Sequence, residues 1–185
     1  MIRPVAWFLS LLLLVVCGGC NPFASTRQPA TYTADNRLVT TSHQAVDRLL
    51  AAIPPGKMPN PKQPIIVASL VNIDDLHSSR LGRTVAEQLS TRLSSAGFTV
   101  VELKLRESIF IKQGEGELLL SREVKEISRA HQAQAVLVGT YAQAMNNVYV
   151  TLKLVNVTDN QVIAAHDFVL PIDAEVRALL WSRAQ

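Results

Sequence analysis

The segment Ile65-Ile-Val-Ala-Ser-Leu-Val71 restricts more than any other what this chain can fold into. A strand with one wet face alternates apolar and polar residues, whereas an unbroken apolar run of strand length suits a strand covered on both faces. The polar stretch Asn72 to Ser78 then leads into a helix on which Leu81, Val85, Leu89 and Leu93 recur every four residues. Ala86 and Ala96 widen that stripe and Gly97 is suited to cap its C-terminus. Phe98 to Leu105 reads as a second strand, in which Val100-Val101 breaks the alternation and indicates two-sided burial or a bulge. Strand, helix and strand in this order predict parallel pairing through a right-handed crossover.

The remainder alternates between the same element types. Apolar Ile109-Phe110-Ile111 precedes Gly114-Glu115-Gly116-Glu117 and Leu118-Leu119-Leu120, and Ser121 can cap a helix to about His131 with Val124, Ile127 and Ala130 inside. Ala135 to Tyr141 is the third core strand. Asn146-Asn147 tolerates positive φ and predicts a hairpin turn. Beyond it, Val148, Val150, Leu152 and Leu154 alternate with Tyr149, Thr151 and Lys153, the pattern of an antiparallel strand with one wetter face. A turn at Thr158-Asp159-Asn160, a strand from Gln161 to about Val169, and a helix capped by Asp173 with Val176, Leu179 and Leu180 complete the chain. The predicted fold is α/β: a single domain with a mixed sheet, a parallel βαβ start and an antiparallel C-terminal meander, covered by helices.

The N-terminus carries the parts of an export signal: Arg3, an apolar run from Val5 to Val16, and Cys17-Gly18-Gly19 before Cys20. The run is too short to span a bilayer. A peptidase that cuts before a lipidated cysteine needs a small residue there, which Gly19 supplies for Cys20 and bulky Val16 denies to Cys17. The usual pattern places Leu three residues before the modified cysteine, and Cys17 stands there instead. The expectation is a signal peptide over 1–19 and a lipid of the palmitate kind on Cys20. Only two cysteines exist, so the mature domain would have neither thiol nor disulfide and would depend on its core. Asn21 after Cys20, in place of the Asp that retains lipoprotein in the inner membrane, favours the outer membrane and its periplasmic side. Residues 21–40 read as a disordered tether. A short helix follows from about His43 to Ile53, capped by Ser42, with Val46, Leu49, Leu50 and Ile53 on one face. Five prolines between Pro54 and Pro64 mark a stiff connector. The expected divisions are 1–19, 20–63 (lipidated N-terminus, tether, short helix and connector) and 64–182 (the α/β domain).

Charge and composition narrow the chemistry. The net charge of +3 is dispersed and aromatic residues are 5% of the chain, which argues against nucleic acid as a partner. Gly114-Glu115-Gly116-Glu117 reads as a structural or partner-facing turn; as a calcium loop it offers too few oxygens. No glycine pattern with a Lys-Ser or Lys-Thr ending makes a phosphate cradle, and no Gly-x-Ser-x-Gly elbow presents a serine. Asp74, Asp75 and His77 follow the first strand, where α/β folds place sites, yet polar residues are also what such a loop uses for capping and solvation. His131 suits a helix C-terminus. His166 and Asp167 are strand neighbours on opposite faces and cannot act as a pair; a hydrogen-bonded histidine near the core is the plainer reading. Arg80 and Arg83 sit in the first turn of a helix, where cations oppose the dipole. That cost suggests an acidic partner, a neighbouring subunit or a carboxylate such as Asp74 or Asp75, against the plainer reading of a solvated face with packed Arg stems. The reading is therefore no enzyme, no cofactor and no metal, with Arg80, Arg83, Glu115 and Glu117 as partner contacts.

Several blocks carry a family resemblance. Ile65-Ile-Val-Ala-Ser-Leu-Val-Asn72, Ser79-Arg-Leu-Gly-Arg83, Gly114-Glu-Gly-Glu-Leu118, Ser121-Arg-Glu-Val-Lys-Glu-Ile127, Ala135-Val-Leu-Val-Gly-Thr-Tyr141 and Ala165-His-Asp167 resemble the FlgO family of outer-membrane lipoproteins, in order, from Pro64 to about Leu180. The domain is also distantly similar to the N-terminal domain of TolB. The resemblance implies a non-enzymatic envelope protein tied to the flagellum and needed for motility, acting through contacts with envelope or flagellar proteins, for which a ring or repeated array of copies would be suited. The alternative it leaves open is a general envelope-assembly lipoprotein contacting peptidoglycan or a secretion machine, because fold transfers more safely than role.

Overall fold

The computed structural model describes residues 37–103, 110–113, 117–120 and 122–181. In chain order these form α1 (Arg37–Ala51), β1 (Ile65–Ala68), β2 (Val71–Asn72), α2 (Arg80–Ser95), β3 (Val100–Leu103), β4 (Phe110–Gln113), β5 (Glu117–Leu120), α3 (Arg122–Ala130), β6 (Ala135–Gln143), β7 (Asn147–Asn156), β8 (Val162–Pro171) and α4 (Ala174–Trp181). Five strands run in the order β3-β1-β6-β7-β8, with the short β2 also paired to β6, and β4 and β5 pair separately as an antiparallel hairpin. β1 is parallel to β3 and to β6, while β6, β7 and β8 are antiparallel in succession. This is the mixed α/β sheet that the residue pattern predicts.

Two hydrophobic clusters lie on opposite faces of the sheet. The larger joins Val46 and Leu49 of α1 and Leu81, Val85, Leu89 and Leu93 of α2 to Ile65, Val67, Leu137, Leu152 and Leu170 of the strands. The smaller joins Ile66, Ala68, Val136 and Val138 to Val124 of α3. β1 is buried on both faces because its alternate residues feed both clusters.

Leu70 fixes the centre of the larger cluster. The apolar run does not continue as one strand: it stops at Ala68 and resumes at Val71. Between them the Leu70 amide donates to the Gly82 carbonyl of α2 at 3.3 Å. A Cβ on Gly82 would collide with the Leu70 carbonyl, and one on Gly139 would stand 2.7 Å from Leu70 Cγ. Both glycines are thus required by close approach, one of helix to strand and the other of a leucine side chain to β6.

Other local expectations differ from the structure in informative ways. The first helix begins at Arg37, within the stretch read as tether, and Ser42 lies inside it fully buried rather than capping it. The reason is packing: Leu38 leans on the larger cluster, so the buried stripe extends the helix past the polar signal. In α3, Ala130 is exposed rather than inside, and Ser128 takes the inner place with its hydroxyl donating to the Val124 carbonyl at 2.6 Å. The hairpin turn forms at Met145-Asn146, but neither Asn146 nor Asn147 has positive φ. β8 continues two residues past Val169, to Pro171.

Other signals act as expected. Gly97 adopts φ +94 just past α2, and Asn160 adopts φ +58 in the β7–β8 turn. Asp173 Oδ1 accepts from the Val176 amide at 2.9 Å, capping α4. The Pro-rich connector is pinned by Gln134, whose carboxamide accepts from the Asn60 amide at 2.8 Å and donates to the Asn60 and Gln63 carbonyls at 2.6 and 2.8 Å.

Candidate functional site

The loop Ile73–Ser79 leaves the end of β2 and gathers the polar residues that sequence singled out. Its backbone is closed on itself: the Asn72 amide donates to the His77 carbonyl at 2.9 Å and the Leu76 amide to the Asn72 carbonyl at 2.8 Å. Asn72 Oδ1 accepts from the Asp74 amide at 3.0 Å, and Asp75 Oδ1 accepts from the His77 amide at 2.8 Å. Such side-chain turns are the ordinary use of Asn and Asp in a tight loop. His77 Nδ1 lies 2.8 Å from the Asp75 carbonyl oxygen, and it donates there in the tautomer protonated at Nδ1. Leu76 is held at φ +60 so that its side chain can reach the smaller cluster. The left-handed conformation costs a leucine about 1–2 kcal/mol, which burial of the side chain offsets.

α2 starts beside this loop. Ser79 is its N-cap, with the hydroxyl accepting from the Gly82 amide at 3.1 Å, so capping falls to Ser79 rather than to Asp74 or Asp75. Tyr141, on β6 next to β2, is buried and its carbonyl accepts from the Ile73 amide at 2.9 Å. Burial pushes its hydroxyl above the ordinary value; a hydrogen bond with the Ser79 side chain works against this, the Asp75 charge adds to it and the Arg83 charge opposes it. Ser79, Asp75, Arg83 and Tyr141 are thereby brought together at one end of the sheet. Tyr141 and Ser79 were not singled out as a pair by sequence; the Ser-Arg-Leu-Gly spacing signals the cap, and nothing local signals the tyrosine.

Arg80 and Arg83 are both exposed, and neither forms an ion pair among the described residues. Neither is therefore neutralised by Asp74 or Asp75. Cys20, Glu115 and the Gly114–Gly116 turn lie outside the described residues, as does the side chain of Glu117, which stands in β5 opposite Gln113. His166 is half-buried on the inner face of β8 and Asp167 is exposed on the other, so the two do face apart. Among the described residues there is no cluster of three or more His, Cys, Asp or Glu side chains fit to hold a metal, and no helix is long and apolar enough to cross a membrane.

Several clefts lie elsewhere, two of them at the connector and along α4. One, of about 320 Å³, is bounded by Lys57 and Met58 of the connector and by Asp159 and Gln161 of the β7–β8 turn. The other runs along α4, where Arg177 stands 5.7 Å from the centre of the exposed Trp181 ring. Neither contains a nucleophile with an adjacent base.

Comparison with known proteins places this geometry in a family. Residues 43–175, from the middle of α1 into α4, match the family model described as FlgO protein. The chain belongs to the FlgO family. No curated protein matches it significantly. Among solved structures, this FlgO-family chain is similar in fold to the LpoB C-terminal domain from Salmonella enterica, at 19% identity and a TM-score of 0.52, covering 72% of this chain and 98% of that one. It also resembles, more weakly, a PelC dodecamer from Paraburkholderia phytofirmans, at 16% identity and a TM-score of 0.43 over 61% of this chain and 74% of that one. The likeness to TolB from Acinetobacter baumannii is weaker still: 17% identity and a TM-score of 0.40 over 63% of this chain and 25% of that one.

Proposed function

We propose that this FlgO-family chain is a non-enzymatic envelope lipoprotein, held at the outer membrane through acylated Cys20 and facing the periplasm, that supports flagellar assembly or stability, and so motility, by protein contacts. The observation that carries the reading is the family match, which runs through nearly all of the described sheet and helices. The site residues support contact rather than catalysis. The Asp75 carboxylate and the His77 ring bond within their own loop, and Asp74 does so through its amide, whereas Arg80 and Arg83 form no ion pair among the described residues. Arg80 and Arg83 are accordingly assigned to an acidic partner surface, with Glu115 and Glu117 as a second contact.

Deletion in a flagellated host tests the reading. Swimming should fail while envelope integrity stays normal, and restoring the gene with Cys20→Ser should leave the defect in place and release the protein from the membrane fraction. Normal swimming in the deletion strain would contradict a flagellar role. Envelope defects with intact swimming would favour the second reading, a general assembly lipoprotein that contacts peptidoglycan or a secretion machine. An Asp74→Ala, His77→Ala variant should swim like the parent.

A further inference from the structure

Among the described residues, the edge of β8 is a backbone template without an occupant. The Ile172 amide donates to the Asn146 carbonyl at 2.9 Å, and the register continues from Asn147 opposite Pro171 back through β8. Antiparallel pairs alternate between those that exchange hydrogen bonds and those that do not. Counting back from Ile172, Leu170, Phe168 and His166 bond to β7, and Ala165, Asp167 and Val169 direct their N–H and C=O groups away from it. The opposite side of β7 agrees, because the Ala144 amide donates to the Asn147 carbonyl at 2.8 Å and so assigns Tyr149, Thr151 and Lys153 to β6. No hydrogen bond reaches the outward groups of Ala165, Asp167 and Val169 among the described residues, and all three residues are exposed.

Several of the usual protections of such an edge are missing. β8 is ten residues long, has no Lys or Arg, and carries proline only at its end. Its bulge lies at the far end, next to the β7–β8 turn. Beside the edge, Val169 pairs across the strands with Tyr149, and these are 44% and 53% exposed, which gives a second strand apolar surface to cover. At the centre stands Asp167, which makes no ion pair among the described residues.

Charge decides between occupants. A second copy pairing antiparallel about a two-fold axis, in the register that uses all three outward positions, sets Asp167 against Asp167. A head-to-tail copy would offer β3, whose outward positions are Val100 and the exposed Glu102, because the Ile65 amide bonds the Thr99 carbonyl at 2.9 Å and turns the alternate residues inward. The two-fold pairing opposes acid to acid, and so does a head-to-tail register that brings Glu102 opposite Asp167; like charges opposite each other destabilise a strand pair.

We infer that the β8 edge takes up an extended segment of a different envelope protein, one that places Lys or Arg opposite Asp167 with apolar residues two positions away on either side. Backbone hydrogen bonds would hold the segment and the side chains would select it, as in strand addition generally. The inference rests on the reading that this protein works through protein contacts, and it adds where one contact lies and what chemistry it selects.

The test uses the full chain in detergent micelles and two synthetic peptides that alternate valine and threonine, one with a central lysine and one with a central glutamate. When nine-tenths of the protein is bound, exchange of the Ala165, Asp167 and Val169 amides should slow about tenfold with the lysine peptide and stay unchanged with the glutamate peptide. Asp167→Lys should reverse that preference. Unchanged exchange with the lysine peptide, or equal slowing with both, would overturn the inference. So would slowing without peptide that grows with protein concentration, which would make a second copy the occupant. None of these results bears on whether deletion abolishes swimming, so failure here leaves the motility reading to its own experiment.

Discussion

The two halves of the sheet are built to different specifications. In the parallel half, every residue of β1 and the first five of β6 are buried, because helices cover both faces. In the antiparallel half, β7 and β8 alternate: Val148, Val150, Leu152 and Leu154 point into the larger cluster while Tyr149 and Lys153 are exposed. The first arrangement sets the stability of the domain, since removing atoms from a site enclosed on both sides leaves a cavity that cannot collapse. Among the described residues, the second leaves one face and one edge uncovered at little cost to folding. The contrast separates scaffold from surface within a single sheet.

Substitutions that should affect one half and spare the other sharpen the contrast. The largest effect is expected at Leu137 in β6, which is 1% exposed: Leu137→Ala should cost about 2–5 kcal/mol, read as a lower urea midpoint. Next comes Gly82→Ala, where the new methyl meets the Leu70 carbonyl; overpacking of this kind costs about 1–3 kcal/mol. An unchanged urea midpoint for Gly82→Ala would mean that α2 does not rest on the strand break as described.

A smaller effect is expected at Tyr141 and it has a sign. Burial raises the hydroxyl above its ordinary 10.0, so the folded state holds the proton more tightly than the unfolded state does. Its contribution is complete below the unfolded value and is lost as pH rises through the folded one. Tyr141→Phe should therefore lose less stability than the parent between neutral pH and the region above about pH 10, measured by urea unfolding across that range. A parallel decline in both proteins would contradict the burial of the hydroxyl. The smallest effect belongs to the open face: Tyr149→Thr should move stability by no more than about 0.5 kcal/mol. A loss as large as that of Leu137→Ala would erase the distinction between the halves.

Much of this division is legible in the residues. The unbroken run from Ile65 and the fourfold spacing of Leu81, Val85, Leu89 and Leu93 report a strand covered on both faces and its covering helix, because burial dictates both patterns. The alternation from Val148 reports the wetter strand, and Asp173 its helix cap. What escapes is whatever depends on contacts between distant segments. Nothing near Arg37 announces that α1 begins there, since the helix is extended by its packing on α2 and β8. The strand break at Leu70 is invisible because it exists to fit Gly82 and Gly139, twelve and sixty-nine residues away. The site is less legible than the fold: Ser79 and Tyr141 meet only through the pairing of β2 with β6. The free edge of β8 follows from strand order, which no local pattern encodes. Asp167, set aside in sequence because it cannot pair with His166, becomes the central charge of that edge once the order is known.

Residue-resolved amide exchange on the full chain without partners tests the division most directly. The amides of β1 should exchange only through global unfolding, and those of Ala165, Asp167 and Val169 should exchange at rates near those of an unfolded chain. Protection at the β8 edge equal to that in β1 would show the edge already covered, and would contradict the account of one sheet divided into a sealed scaffold and an open surface.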